Sequence, residues 1–161
     1  MAAKRSPTTG AVRVLRDAGV RYTEHVFDYR RYPGAEGAAE FLAVAPYVTA
    51  KDIVFTTDAG DGVVTLMHGD REVSVKKLAR SIEVKSVRPA TQREADRFTG
   101  YRFGGTSPLG MRSDCPVFAQ PSIGELDTVY VNGGSPGFLI GIDPTVLFDL
   151  TNAVLIDVAV D

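Results

Sequence analysis

The sequence has a single cysteine, Cys115, and no tryptophan among its 161 residues. One cysteine excludes both an intramolecular disulfide and a zinc site made of several thiolates, which favours a reducing compartment. No run of about 18 uncharged apolar residues is present, so the pattern predicts no transmembrane helix. After Lys4 and Arg5 the chain continues with Ser6-Pro7-Thr8-Thr9-Gly10, where a signal peptide needs an apolar stretch. We therefore expect a soluble, cytoplasmic protein.

Basic residues are not in excess, because 18 lysines and arginines stand against 20 aspartates and glutamates, for a net charge of −2. This balance argues against a basic coat for long nucleic acids, so neither DNA nor a membrane is an expected partner. The total hides a local difference: residues 71–112 hold ten basic and four acidic side chains, a balance of +6. Residues 113–161 hold seven acids and no lysine or arginine. The basic segment is either a solvated surface or a region of positive potential for a local contact.

The overall composition, 44% hydrophobic and 24% charged, is typical of one ordinary globular domain. Short strands, hairpin loops and short helices alternate along the chain, without a repeat or a linker. This order favours a single α+β domain over residues 1–161, with a mixed, mostly antiparallel sheet and short surrounding helices. We expect residues 1–10 to be flexible.

The local patterns predict the following elements. Apolar spacing with capping residues, glycines and prolines predicts helices at 11–18, 34–45, 75–82 and 91–98, and one that starts at Asp143. Apolar runs predict strands at 22–27, 52–57, 63–68, 117–119, 128–131, 137–142 and 153–160. Ser122-Ile123-Gly124-Glu125 has the spacing of a second capping box, and Asn132-Gly133-Gly134 is typical of a turn.

Several enzyme signatures are missing from the sequence. It has neither G-x-x-x-x-G-K-[ST] nor G-x-G-x-x-G, so neither nucleotide-binding fingerprint is present. Gly105-Thr106-Ser107-Pro108-Leu109 begins like the G-x-S-x-G nucleophile elbow, but Leu109 replaces the last glycine. A serine esterase built on Ser107 would also have to recruit His25 or His68, the two histidines of the chain.

The histidines are also a weak basis for a metal site. His68 and Asp70 lie in one turn, but a catalytic zinc site needs three protein ligands and an open position. We expect His68 to be an ordinary surface residue, and the sequence calls for no metal and no cofactor.

The most unusual local feature is the loop Gly104-Gly105-Thr106-Ser107-Pro108-Leu109-Gly110. Glycines allow close backbone approaches that a β-carbon blocks. The loop is therefore either a tight structural connection or a cradle whose N–H groups receive a carbonyl or phosphate oxygen.

Lys51 begins an apolar strand, Lys51-Asp52-Ile53-Val54-Phe55. A lysine at a strand end is usually a surface residue. If its side chain instead points into a pocket, the ammonium can orient an ester carbonyl or stabilise an oxyanion. Spacing alone leaves both alternatives open.

Four motifs occur in one order along the chain: Lys51 before its apolar strand, Val75-Lys76-Lys77-Leu78-Ala79, Thr99-Gly100-Tyr101 leading into the 104–110 loop, and Tyr130-Val131-Asn132-Gly133-Gly134. Together they resemble the YbaK/EbsC family of stand-alone editing domains, which are related to the insertion domain of bacterial prolyl-tRNA synthetases. Order and spacing agree from about Val12 to Val158. The resemblance implies a YbaK-like editing fold for the whole chain.

The resemblance also implies an activity, hydrolysis in trans of the ester that links a wrong small amino acid to the 3′-terminal adenosine of a tRNA. The expected substrate is cysteine or alanine on tRNA(Pro), and prolyl-tRNA synthetase is a possible partner. No cofactor is implied. In the cysteine-specific branch the thiol of the substrate would attack the ester, and in the alanine branch a bound water would do so. Orientation and oxyanion stabilisation suffice for an activated ester.

Site residues are carried over from the same motifs. Lys51 matches the pocket lysine of the family, and the 104–110 loop matches the segment whose backbone positions the aminoacyl carbonyl. The expected substrate-binding residues are Phe27, Tyr29, Gly104, Gly105, Thr106, Ser107, Pro108, Leu109, Gly110, Gly133 and Gly134. Lys76, Lys77 and Arg80 are candidates for tRNA contact.

Two positions depart from the cysteine-specific pattern. Phe27, with Tyr29 two residues on, stands where those relatives commonly have a pocket tyrosine, and Leu139 stands where an acidic residue is expected. Both changes remove polar groups from the pocket, which puts selection of cysteine in doubt and leaves room for alanine. They also keep an alternative open, a non-catalytic module of the same fold that binds a tRNA end or a synthetase.

Overall fold

A computed structural model describes residues 5–161, and its eight strands form two sheets. The strands are β1 Thr23–Val26, β2 Ala50–Thr57, β3 Gly62–His68, β4 Val87–Pro89, β5 Val117–Ala119, β6 Val129–Ser135, β7 Phe138–Ile142 and β8 Val154–Leu155. The helices are α1 Gly10–Ala18, α2 Gly34–Leu42, α3 Val75–Ser81, α4 Gln92–Thr99 and α5 Pro144–Thr151. Two short 3₁₀ helices occupy Pro46–Val48 and Pro121–Glu125.

The smaller sheet has the strand order β1-β7-β6 and is antiparallel throughout. The larger sheet has the order β4-β2-β3-β5-β8, and its β3–β5 and β5–β8 pairs are parallel. This arrangement confirms the α+β class and the mixed, mostly antiparallel pairing. The strands are divided between two sheets, whereas the sequence pattern was consistent with a single one.

Strand β2 lies between two apolar clusters, because successive side chains of a strand point to opposite faces. Ala50 and Val54 belong to the main core, which includes residues of α1, β6, β7 and α5. Phe55 belongs to a second cluster that includes α3. Because β4 pairs with β2 only at Phe55–Thr57, the first half of β2 has its free edge near β6, where Thr49 forms a bridge with Tyr130.

Helix ends follow local sequence signals closely. The Thr9 side chain accepts a hydrogen bond from the N–H of Val12 at the start of α1, and Gly19 ends that helix in the left-handed conformation. The capping box predicted at Thr91 and Glu94 is confirmed, with both of its hydrogen bonds present. The expected flexibility of residues 1–10 falls partly on residues 1–4, which lie outside the described chain.

The turn predicted at Asn132-Gly133-Gly134 is wrong. These residues continue β6, whose register with β7 shifts between Asn132 and Ser135, and the chain turns at Pro136-Gly137. A β-carbon on Gly133 would lie 2.5 Å from the Phe138 ring, so this glycine allows close packing inside the strand.

The prediction of a surface His68 is also wrong, and so is the capping box at Ser122. His68 is fully buried, and its ring stacks on Tyr47 with centroids 3.8 Å apart. The two ring nitrogens lie 2.6 Å from the Tyr47 carbonyl oxygen and 2.7 Å from the Ser122 hydroxyl. Ser122 lies within the Pro121–Glu125 helix, and Gln120 is the residue that precedes its first turn, so Ser122 does not cap the helix. Its hydroxyl instead contacts the imidazole of His68.

Other boundaries also differ from the predicted ones. Helix α2 ends at Leu42, where Ala43 takes a left-handed conformation, and does not reach residue 45. Only Val154–Leu155 of the strand expected at 153–160 forms a strand, with an isolated bridge between Val73 and Ala159. Strand β4 was not expected. Within residues 5–161, no helix combines the length and the apolar content that a membrane span requires.

Candidate functional site

A cavity of about 370 Å³ lies where the free edge of β2 meets the smaller sheet. Its walls come from the residues after β1, the start of α2, the first half of β2, the segment 103–106, and strands β6 and β7. The lining residues are Phe27, Tyr29, Gly34, Ala35, Ala38, Thr49, Ala50, Lys51, Asp52, Ile53, Phe103, Gly104, Thr106, Tyr130, Asn132, Gly137, Phe138 and Leu139. The cavity therefore joins segments that are far apart in the sequence.

Lys51 lies on the wall of this cavity, near the start of β2. Its Nζ is 3.2 Å from Oε1 of Glu72, and the side chains are 23% and 78% exposed respectively. Ion pairs in which one partner is so open to water contribute only about 0–1 kcal/mol. Glu72 therefore holds the ammonium weakly, and an anionic group in the cavity can compete for it.

The 104–110 loop presents one side to the cavity and buries the other. Gly104 and Thr106 line the cavity, and neither donates its backbone N–H to another described residue. Ser107 and Leu109 are 0% and 1% exposed, and the Ser107 hydroxyl accepts a hydrogen bond from the N–H of Leu109. Pro108 is buried, and Gly105 packs against Pro136.

Hydrogen bonds hold this loop near both of its ends. Asn132 Nδ2 donates to the carbonyl of Gly104 at 2.7 Å, while Asn132 Oδ1 accepts from the N–H of Gly134 at 2.9 Å. The Tyr101 hydroxyl donates to the carbonyl of Leu109. The predicted site residues Gly133 and Gly134 are not on the cavity wall. A loop held at both ends presents its amides without reorganisation.

Gly104 is closely covered by Tyr29. Its φ of +81° is in the left-handed region, and a β-carbon there would lie 2.9 Å from the Tyr29 hydroxyl oxygen. Gly110, with φ of +69°, similarly packs against the backbone of Gly10 at the start of α1. Both ends of the loop therefore require glycine.

One end of the cavity is apolar. Phe27 and Leu139 are 8% and 7% exposed and pack together with Ala38 in a small cluster. The Phe27 ring stacks on Phe41 with centroids 5.0 Å apart. The two departures from the family pattern thus meet at one place, which suits a small apolar group.

Sequence reasoning missed Asp52. The residue lines the cavity, yet both carboxyl oxygens are buried and have no hydrogen-bond partner among the described residues. Burial raises the pKa of this carboxyl well above its ordinary value. The signal was available in the alternation of β2, since Asp52 shares a face with Ala50 and Val54, and both of these are buried.

Phe103 was also missed. Its side chain is 72% exposed although it lies on the cavity wall, next to the exposed Arg102. A single exposed phenylalanine is not unusual, but one at the mouth of a cavity offers a flat apolar face to whatever enters.

The three basic residues proposed for tRNA contact lie on α3, and none of them lines the cavity. Lys77 Nζ donates to the Ala159 carbonyl at 2.8 Å and lies 2.7 Å from Oδ1 of Asp161. Lys76 and Arg80 are exposed. Lys77 is thus engaged within the chain, whereas the other two present their charges to solvent.

Neither histidine lines the cavity, and residues 5–161 contain no group of three side chains arranged to hold a metal ion. His25 Nε2 lies 2.8 Å from the Thr23 hydroxyl, and His68 is in the network with Tyr47. Ser107, buried and engaged with Leu109, has no histidine partner among the described hydrogen bonds. The geometry does not form a serine triad.

Comparisons with known proteins identify the family to which the chain is similar. A family model described as the aminoacyl-tRNA editing domain matches residues 32–150. The chain is 29% identical over 150 residues to the Enterococcus faecalis protein named "Putative Cys-tRNA(Pro)/Cys-tRNA(Cys) deacylase EbsC", with 92% of each chain covered. It is 32% identical over 93 residues to the proline–tRNA ligase of Levilactobacillus brevis, which is 58% of this chain but only 16% of the ligase. A crystal structure described as a "putative trans-editing enzyme for prolyl tRNA synthetase" superposes with a TM-score of 0.83 at 25% identity, covering 97% of this chain and 100% of that one.

Proposed function

The chain belongs to the aminoacyl-tRNA editing domain family, and we propose that it hydrolyses the ester between a wrongly attached small amino acid and the 3′-terminal adenosine of a tRNA. The observation that carries this proposal is the meeting of Lys51 with the fixed backbone of Gly104 and Thr106 in one cavity. The residues come from β2 and from a distant loop, so only the fold brings the ammonium and the amides together.

The reaction needs orientation more than a strong protein nucleophile, because an aminoacyl ester is already activated. A water molecule, or the thiol of a cysteinyl substrate, attacks the carbonyl carbon and forms a tetrahedral oxyanion. The Lys51 ammonium and the loop amides stabilise that negative charge. The bond from carbon to the ribose oxygen then breaks, and the ribose oxygen takes a proton to regenerate the tRNA hydroxyl. With water the other product is the free amino acid, and with the cysteinyl thiol it is cysteine thiolactone, which water then hydrolyses to cysteine; in both routes the ribose oxygen takes the proton that the nucleophile loses.

The apolar end of the cavity favours a small side chain. Phe27 and Leu139 offer neither a donor nor an acceptor, so alanine fits this end at least as well as cysteine. Apolar pockets distinguish one methylene by only about 1–3 kcal/mol, and close packing by Phe27 must therefore supply the size limit. The proposed substrate class is alanine or cysteine on a non-cognate tRNA.

The similarity to EbsC and to a segment of proline–tRNA ligases supports tRNA(Pro) as the carrier. The chain covers 92% of EbsC, which supports action in trans on tRNA that a synthetase has released. With the amino acid in the cavity, the terminal adenosine would lie at the mouth, where Phe103 is exposed. Arg102, Lys76 and Arg80 are the exposed cations proposed to contact the acceptor end, and prolyl-tRNA synthetase is a proposed partner.

The test is deacylation of a panel of tRNAs, each charged with one labelled amino acid. Release of alanine or cysteine from tRNA(Pro), with prolyl-tRNA(Pro) left intact, supports the proposal. Tight binding of the same tRNAs without release of the amino acid would favour the alternative, a non-catalytic binding module. This alternative is tested because Phe27 and Leu139 bring no polar group to the pocket.

A further inference from the structure

Asp52 is a buried carboxyl group for which the folded chain offers no partner. Both of its oxygens are shut off from solvent, and neither has a hydrogen-bond partner among the described residues. Buried carboxyl groups are normally paired or hydrogen-bonded, because an unpaired one destabilises the fold. A residue of this kind on the wall of a cavity is therefore typical of a site that binds a cationic or hydrogen-bond-donating group.

The nearby ammonium group of Lys51 does not form an ion pair with Asp52. Lys51 is the neighbouring residue in β2, but its ammonium pairs with Glu72 and makes no hydrogen bond to Asp52. Lys51 and Asp52 are also the two charged residues among the described lining of the cavity. The cavity thus has one carboxyl group without a cation.

The proposed substrate carries the matching group. An aminoacyl ester has an α-amino group, the only basic group of alanine or cysteine, next to the carbonyl that must meet Lys51. We propose that the Asp52 carboxyl binds the α-amino group of the aminoacyl ester and so requires that this group be free. This inference rests on the proposed function and adds a second anchor: Lys51 and the loop amides hold the carbonyl oxygen, and Asp52 holds the nitrogen two bonds away from the carbonyl carbon.

Two anchors on adjacent groups fix the orientation of the ester. With the nitrogen and the carbonyl oxygen both held, the remaining substituent, the side chain, turns toward the apolar surface of Phe27 and Leu139. The raised pKa of the Asp52 carboxyl agrees with this role, since burial without a cation disfavours the charged form. An arriving ammonium supplies the missing partner.

The experiment compares two pairs of ligands that differ only by acetylation of the amino group. The first pair is 3′-alanylamino-3′-deoxyadenosine and its N-acetyl derivative, stable amides whose binding is followed by calorimetry. The second pair is alanyl-tRNA(Pro) and N-acetylalanyl-tRNA(Pro), whose hydrolysis gives kcat/KM. We expect the wild-type protein to prefer the free amine at least tenfold in both measurements, and Asp52→Asn to reduce this preference to about threefold or less.

Thr56 provides a matched control. Its hydroxyl is also buried without a partner on the same face of β2, but it does not line the cavity. Thr56→Val should keep the wild-type preference. Asp52→Leu should lose it, and its thermal unfolding should occur at the wild-type temperature or above, because the substitution removes an unpaired buried carboxyl.

The outcomes separate the two proposals. An unchanged preference in Asp52→Asn would overturn the role of Asp52, and so would an equal loss for the free and acetylated ligands. The wild-type protein could also fail to hydrolyse either tRNA and still prefer the amide ligand with the free amino group. If Asp52→Asn then lost that preference, the deacylase would be rejected, but binding of the amino group by Asp52 would be supported. Absence of any preference in the wild-type protein would overturn the amine site even if hydrolysis occurs.

Discussion

The ammonium of Lys51 lies 3.2 Å from a carboxylate oxygen of Glu72, a side chain that is 78% exposed. Because water screens this pair, it should cost little to break when substrate enters. We expect Glu72→Gln to change kcat/KM for a mischarged tRNA by less than about fivefold, the equivalent of roughly 1 kcal/mol. Steady-state deacylation measures this. A loss of a hundredfold would show that Glu72 itself takes part in the reaction.

Gly104 should not tolerate a side chain. Its left-handed φ and the Tyr29 hydroxyl, which would lie 2.9 Å from a β-carbon, both oppose alanine. Strain of this kind costs about 1–3 kcal/mol. We expect Gly104→Ala to lower the unfolding free energy by that order and to lower kcat/KM at least tenfold, since the loop amides shift. Urea unfolding and deacylation rates test this together. Full activity in a stable Gly104→Ala protein would exclude a positioning role for this backbone.

Phe103 should act on tRNA binding and not on the chemical step. Stacking of a base on an aromatic ring contributes about 1–3 kcal/mol, which corresponds to roughly 5- to 150-fold in affinity. Phe103→Ala should therefore raise KM for alanyl-tRNA within this range and leave kcat within about threefold. Phe103→Tyr is the matched control and should behave as the wild type, because it keeps the ring.

Stability should not change in Phe103→Ala, because the side chain is 72% exposed. A wild-type KM in this variant would place the terminal base elsewhere.

His68 should make stability depend on pH. Burial lowers its pKa below the ordinary value of 6.5, with the nearby Arg71 also lowering it and the Tyr47 carbonyl, Asp70 and Glu125 acting in the opposite direction. The unfolded chain therefore binds a proton near pH 6.5 that the folded chain binds only at lower pH. It follows that the unfolding free energy falls as the pH drops below about 6.5.

Urea unfolding at pH 7.5 and pH 5.5 tests this prediction. His68→Asn should be less stable than the wild type at pH 7.5, because it loses the stacking on Tyr47, but it should lose less stability on acidification. An identical pH dependence in the two proteins would contradict a neutral buried His68.

Local signals predicted the fold class and most elements, and long-range packing explains the failures. The Thr91 capping box and the Gly19 helix end are encoded by neighbouring residues, and both are present. Asn132-Gly133-Gly134 also has a strong local preference for a turn, but the Phe138 ring occupies the space beside Gly133 and keeps the segment in a strand. Strand β4 has only three residues and ends in Pro89, so its apolar pattern was too short to detect.

In the candidate site, too, local motifs predicted some residues, while long-range packing determined others. Motifs in register are enough to mark Lys51 and the 104–110 loop as candidates, and the fold brings Lys51, Gly104 and Thr106 to one cavity. The motifs could not show which loop residues face the cavity and which are buried in the protein interior. Ser107 and Leu109 are buried by contacts that spacing does not encode. Phe103 escaped notice because its exposure at the cavity mouth depends on segments distant in sequence, whereas the alternation of β2 carried a local signal for the burial of Asp52.

The most direct test of the proposed deacylase is release of labelled alanine or cysteine from mischarged tRNA(Pro) by the wild-type protein and by Lys51→Ala. Loss of an oxyanion-stabilising group typically lowers the rate about 10²- to 10³-fold. We expect at least a hundredfold loss in Lys51→Ala, with a thermal unfolding temperature close to that of the wild type, while prolyl-tRNA(Pro) is spared by both. Full activity in a folded Lys51→Ala protein, or no release by the wild type from any tRNA of the panel, would contradict the assigned function.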